Sequence, residues 1–422
     1  MDEYFLHYIW KHQKFTSNHL KLKDDQTLLV FQQGYHNQDS GPDFEEARIK
    51  IGAIEWVGSI EIHIKSSDWI NHQHSSNTAY HNVVLHVVWE HDQEIVVNGD
   101  VLPTLELKNI VNPELVLKYK NYLSSKSTFI CETQISAAPK ITYHTMLSRV
   151  MVERLEEKAE KVLQSLRENK NNWEETTYKT LAQNFGFSTN KTAFEKLAQR
   201  LPFEILKKHL HDELKTQALV FGQAGFLEDP QDDYQSRLKQ EYEFLKTKFD
   251  LHAPLLRSEW KFGKMRPANF PSVRLAQFAS VLLNNPNLFS KVVSITKPKN
   301  LIEELSFEYH AYWKTHYDFG KKKKLLAKKP GSSTLDGILI NTITPILAAY
   351  SKHVDDQKYI DNALAILESL KSETNRYTKD WIKLGLKPSS AFESQAQIQL
   401  IKNYCAKRRC LACNIGVYLL GQ

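Results

Sequence analysis

The tightest constraint on how this chain folds is the alternation in Gly58-Ser59-Ile60-Glu61-Ile62-His63-Ile64-Lys65. A period of two cannot make the stripe of an amphipathic helix. It puts Ile60, Ile62 and Ile64 on one face of a strand and Glu61, His63 and Lys65 on the other. Gly41-Pro42, followed by Asp43, punctuates the chain just ahead of that strand. A second run, NVVLHVVW from Asn82, is apolar on both faces, as a strand inside a sheet is. In EIVVNGDVLPTLEL, Asn98-Gly99 reads as a hairpin turn, and Pro103 limits the strand after it to an edge. TLLVFQQGYHN after Asp25 reads as a strand ending at Gly34, and residues 2–13 as a short amphipathic helix. Up to about Thr128 the pattern therefore predicts a mixed sheet with few helices.

From QISAAPKIT onward the period changes to that of a helix. Leu147, Met151, Leu155, Ala159, Leu163 and Leu166 recur at helical spacing with charges on the remaining faces. Helical patterns follow in WEETTYKTLAQNFGF, NKTAFEKLAQRLP, FEILKKHLHDELKTQALVFGQAGFL and QSRLKQEYEFLKTKFDL, with no fixed repeat length. The expected class is α+β: a mixed-sheet α/β domain over residues 1–136, then a larger all-α domain over 137–422 that ends in a cysteine-rich segment. A chain of 422 residues is long enough for both to have cores.

The opening YFLHYIW run is broken by His7 and has neither a basic leader nor a small-residue cleavage site, so it does not read as a secretory signal. No stretch is long and apolar enough to span a bilayer. The expectation is a cytoplasmic protein with no membrane partner. In that setting its four cysteines are thiols or metal ligands rather than a disulfide framework. A formal charge of +6 is compatible with a phosphate backbone as partner and equally with none.

Several residues carry possible chemistry. His72 and His74 follow His63 closely and, with a carboxylate, form an ordinary zinc donor set; a histidine pair in a polar loop also serves for hydrogen bonding or substrate contact. His86 reads as a satisfied core histidine, and Trp69 as packing or as a stacking platform for a base or sugar. Lys261, Lys264, Arg266 and Arg274 are interleaved with Trp260, Phe262 and Phe270, a mixture that grips single-stranded nucleic acid or bridges helices. Six lysines between residues 321 and 329 form a solvated face that would add phosphate affinity. Cys405, Cys410 and Cys413 are spaced to aim thiolates at one ion, with Cys131 as a possible fourth ligand for zinc or an iron–sulfur cluster.

Pro42-Asp43 followed by Glu61-Ile62-His63 resembles the PD-(D/E)XK nuclease superfamily. The resemblance implies a restriction-endonuclease-like N-terminal domain in which Asp43, Glu61 and the Ile62 carbonyl hold magnesium. His63 stands where the superfamily has its lysine, so either His63 or Lys65 would assist the attacking water. An extra acid on the first helix, here Glu3, is common in such nucleases. Over nearly its whole length the chain also resembles a family of uncharacterised bacterial proteins, a domain of unknown function. That likeness rests on GPDF with GSIEIH, LHVVW, ERLEEK, FGQAGFL, RPANFPSVRLAQ, YWKTHYDFG, NTITPILAAY and YCAKRRCLAC. The function these readings imply is metal-dependent phosphodiester hydrolysis of DNA or RNA. The alternatives are a nucleic-acid-binding protein with a degenerate nuclease site and a scaffold protein.

Overall fold

The computed structural model describes residues 2–37, 39–263, 265–294, 308–323 and 331–422. The chain divides into two compact units, Met1–Met146 with Leu400–Gln422, and Leu147–Gln399. The cysteine-rich end thus belongs with the sheet and not with the helices that precede it in sequence.

In the first unit, helix α1 (Glu3–Lys11) is capped by Asp2, whose side chain accepts from the Phe5 N–H at 3.1 Å. The strands are β1 (Leu20–Lys21), β2 (Thr27–Gln32), β3 (Tyr35–His36), β4 (Phe44–Ile51), β5 (Ile54–Lys65), β6 (Val83–Glu90), β7 (Val96–Val97), β8 (Asp100–Val101) and β9 (Thr104–Glu106). One sheet runs in the order β1-β2-β4-β5-β6-β9, with β3 beside β4. β2, β4 and β5 are antiparallel, while β5-β6 and β6-β9 are parallel, so the sheet is mixed as the alternation predicted. The strand expected to end at Gly34 is β2, which stops at Gln32; Gly34 takes a φ of 88°, where a Cβ would fall 2.7 Å from the Glu45 carbonyl, and β3 begins after it. Asn98 and Gly99, at φ of 53° and 93°, form the β7-β8 hairpin turn. β9 begins one residue after Pro103 and lies at the end of the sheet.

α1 and helix α3 (Pro113–Ser124) cover one face of the sheet. Phe5, Leu6, Ile9 and Trp10 pack there with Ile60, Ile62, Leu85, Val87 and Leu105. Each such side chain contributes roughly 1.5–3 kcal/mol by leaving water. A smaller cluster of Trp69, Tyr80, Ile95 and Leu102 forms a second core. β5 pairs with β4 from Ile54 to Ile60 and with β6 only from Ser59 onward; Ile54–Val57 are exposed, while residues 58–63 are buried.

The second unit is helical apart from the short His316–Asp318 and Lys321–Lys322 hairpin, among its described residues. The long amphipathic pattern forms the helix Lys140–Glu168, on which the division between units falls. The single helix expected over FEILKK to GFL is two, Phe203–Lys207 and Glu213–Gln223. Asp212 starts the second one by accepting from the Lys215 N–H at 3.1 Å. No helix among the described residues is long and apolar enough to cross a membrane.

Candidate metal centre

Asp43 ends the Gly41-Pro42 turn, and Gly41, at a φ of 119°, lets the chain turn sharply into β4. Its Oδ2 accepts the Ile62 N–H at 2.9 Å, while its own N–H donates to Glu61 Oε2 at 3.1 Å. The reciprocal pair fixes both carboxylates at the same point between β4 and β5. Glu61 is 5% exposed, so the charged face of β5 is a covered polar site and not a solvated edge.

The other wall comes from the segment after β5. Asp68 Oδ2 accepts the Lys65 N–H at 3.0 Å, and the single helical turn α2 (Asp68–Asn71) follows. Gln73 then takes a φ of 59°, reversing the chain between His72 and His74 so that both rings face β5. Trp69 is fully buried, donates from Nε1 to Ser75 Oγ at 3.0 Å, and stands edge-on to His74 and His86. Tyr80 stacks on His74 with centroids 3.8 Å apart. These contacts hold the imidazoles in place before any ligand arrives.

Three imidazole nitrogens converge as a result, with Glu61 Oε1 beside two of them. His63 Nε2 lies 3.1 Å from His72 Nδ1, 3.3 Å from His74 Nε2 and 3.5 Å from Glu61 Oε1. Glu61 Oε1 is 3.2 Å from His74 Nε2. An imidazole nitrogen has one proton or one lone pair, so it cannot hydrogen-bond to three neighbours at once. A cation at the centre satisfies all of them: donors about 2.1 Å from a tetrahedral zinc ion lie about 3.4 Å from one another. His63, His72 and His74 form a group whose ligand atoms all lie within 4.8 Å of one another. His63 Nδ1 meets His86 Nε2 at 2.9 Å, which fixes the ring and leaves Nε2 for the site.

The electrostatics follow from burial. Burial, with the neighbouring Asp43 charge, pushes the Glu61 carboxyl up to about 9. Burial and the surrounding imidazoles push His63 down to about 2. Burial also lowers His74 to about 4 and His86 to about 3. The buried imidazoles are thus neutral, the form that binds metals, whereas the Glu61 carboxyl holds its proton until a cation displaces it.

The site is open toward Asp43 and His72. Asp43 is 22% exposed at its side chain, and His7 Nε2 stands 3.2 Å from its Oδ2. Glu3 also reaches this side: burial and the charge of Asp43 raise its carboxyl. Glu3 and His7 are one helical turn apart on α1, and that i, i+4 spacing was the signal for them. The nuclease resemblance points to Glu3, whereas nothing in the sequence reading assigns His7 a role at the site.

The remaining sequence candidates lie elsewhere. Lys65 ends β5 and is exposed. Arg266 is exposed, and Lys264 lies outside the described residues, as does the lysine run beyond Lys323. Arg274 turns inward, donating to Gln277 at 2.7 Å, Thr334 at 3.1 Å and Asn269 at 2.6 Å, with its guanidinium 4.3 Å from the Phe187 ring. All four cysteines lie in the first unit.

The imidazole-rich set suits zinc or another transition ion, whereas magnesium takes oxygen ligands and keeps its waters. No curated protein and no solved structure matches the chain. The model of a family described as protein of unknown function (DUF2851) matches residues 3–376, and this chain belongs to that family.

Proposed function

We propose that this protein is a metal-dependent hydrolase of phosphodiester bonds in DNA or RNA. Its ion is held by Glu61, His63, His72 and His74, and Asp43 stands at the open side. The observation that carries the reading is the reciprocal pairing of Asp43 with Ile62 and of Glu61 with Asp43 at 2.9 and 3.1 Å, beside three convergent imidazoles. The spacing that resembles the PD-(D/E)XK pattern thus corresponds to two carboxylates at one place, with an acid of the first helix near them. A restriction-endonuclease-like domain is the fold this reading implies.

A divalent ion bound there supplies a Lewis acid for a phosphoryl oxygen and a bound water whose pKa falls toward about 7. His63, His72 and His74 hold the position, and His86 keeps the His63 ring oriented. Asp43 is the half-buried carboxylate placed to accept a proton from an attacking water, and His7 orients it. Glu61 in its buried setting completes the donor set.

The count of four protein donors also fits a structural zinc site, in which no position is left for substrate. One experiment separates the two. Purified protein is incubated with plasmid, single-stranded DNA and RNA in zinc, manganese or magnesium, beside Asp43→Asn and His74→Ala. Cleavage lost in both variants is the expected result. No cleavage under any condition, together with a melting temperature that falls on chelation, overturns the hydrolase in favour of the structural ion.

A further inference from the structure

The helical unit encloses a half-open cavity of about 240 Å³. One wall is the end of the helix Trp173–Phe185 and the turn that follows it, with Gln183, Asn184, Phe187, Ser188 and, at the start of the next helix, Lys191. The other is the helix Ser332–Ile338 and the wide helical turn Leu339–Ile343, with Thr334, Gly337 and Asn341. A wide turn of this kind inside a helix is uncommon and is found most often beside functional sites.

Two residues of this cavity cost the fold stability that packing does not return. Gly337 lies inside a helix, where glycine is a poor choice, yet a Cβ built there meets no atom within 4 Å. No neighbour requires a glycine at that point; the open space in front of it does. Gly186 is the contrast, since a Cβ there would stand 2.4 Å from the Asn190 carbonyl oxygen. Phe187 takes a φ of 48°, a strained conformation for a bulky residue, and leaves 45% of its surface exposed. Asn190 holds that turn: its N–H donates to the Gly186 carbonyl at 2.8 Å, and its side chain exchanges hydrogen bonds of 2.8 and 3.0 Å with the Lys261 backbone. The Arg274 guanidinium lies 4.3 Å from the centre of the Phe187 ring and occupies one of its faces.

The polar groups on the wall are fixed by their own partners. Asn184 Nδ2 donates to the Asn341 carbonyl at 2.5 Å and to Thr342 Oγ1 at 2.9 Å, and Gln183 Nε2 donates to Glu195 at 3.1 Å. Each amide therefore keeps its oxygen as an acceptor. Thr334 Oγ1 accepts from Arg274 at 3.1 Å and retains its O–H to donate. Lys191 is exposed at the rim, and no carboxylate lines the cavity. We propose that this cavity binds a mononucleotide whose base carries an amino group. The base lies on Phe187, its amino group donates to the amide oxygens of Gln183 and Asn184, and its phosphate meets Lys191 at the rim. Stacking on an aromatic ring and a charge-assisted contact to phosphate are the interactions such a ligand needs. The site is independent of the histidine centre and of the hydrolase reading.

The test is titration calorimetry of the full-length protein with AMP, CMP, adenosine and inorganic phosphate, in excess chelator so that no ion in the histidine centre takes part. AMP or CMP should bind at one site per chain, with adenosine and phosphate each at least about 10-fold weaker. Lys191→Ala should weaken the nucleotide about 10-fold, as loss of one charged hydrogen bond does, and leave adenosine unchanged. Gly337→Leu should fill the cavity and abolish binding of nucleotide and nucleoside alike, with a melting temperature no lower than the parent's. Lys191→Ala alters only an exposed side chain, so it decides the matter if the leucine variant does not fold. Absence of saturable binding by AMP and CMP, phosphate binding as tightly as either, or nucleotide affinity unchanged in Lys191→Ala or in folded Gly337→Leu overturns the proposal.

Discussion

His86→Leu is the sharpest test of the histidine centre, because it removes no metal ligand. His86 is fully buried, and its Nε2 meets His63 Nδ1 at 2.9 Å, while its Nδ1 has no hydrogen-bond partner. Leucine is of similar size. It gives up one hydrogen bond worth about 1 kcal/mol and also removes a buried nitrogen that had no partner, a gain of similar order. Stability of the metal-free protein should therefore change by less than about 1 kcal/mol. Metal affinity should not be spared. Loss of a partner that orients a ligating histidine weakens binding about 10- to 100-fold, or roughly 1.4–2.7 kcal/mol. The assay is zinc competition against a chromophoric chelator, counting only the site that His74→Ala abolishes, with melting curves in excess chelator. At a fixed excess of zinc the stabilisation by the ion should fall by the same free energy. Affinity within twofold of the parent, with unchanged melting in chelator, would refute the claim that His86 orients a ligand.

Arg274→Ala should lower stability by about 3 kcal/mol through its lost charged hydrogen bonds and packing on Phe187, without altering the salt dependence of nucleic-acid binding. A normal melting temperature with weakened binding would contradict its internal role. In the helical unit, burial pushes the Asp232 carboxyl up. Hydrogen bonds from Tyr312, Gln235 and Gly320 outweigh burial and hold it below the ordinary range. A depressed folded value gives stability that is present above the unfolded pKa of about 3.9 and lost as pH falls through the folded value. Asp232→Asn should thus melt lower at neutral pH by roughly 1–2 kcal/mol, the gap closing on acidification. A gap that persists at the acid end would show that the charge is not the cause.

Much of the frame was legible because it is local. Alternation in residues 58–65 marked a strand, Asn98-Gly99 the turn of a separate hairpin, and the leucine spacing from Leu147 a helix, since each depends on neighbours in sequence. Membership of the family of unknown function was also carried by the residues themselves. The centre was legible only as an inventory: Asp43, Glu61, His63, His72, His74 and the cysteines were visible, but periodicity says which face a side chain takes and not what meets it there. The pairing of Asp43 with Ile62, the reversal at Gln73 and the register that sets Glu61 beside His86 on the next strand are tertiary facts. So is the return of the last residues, with Cys405, Cys410 and Cys413, to the unit that holds Cys131. Contacts between residues remote in sequence depend on chain reversals and on strand register. Both are set by the packing of the whole core, and no short window of sequence encodes them.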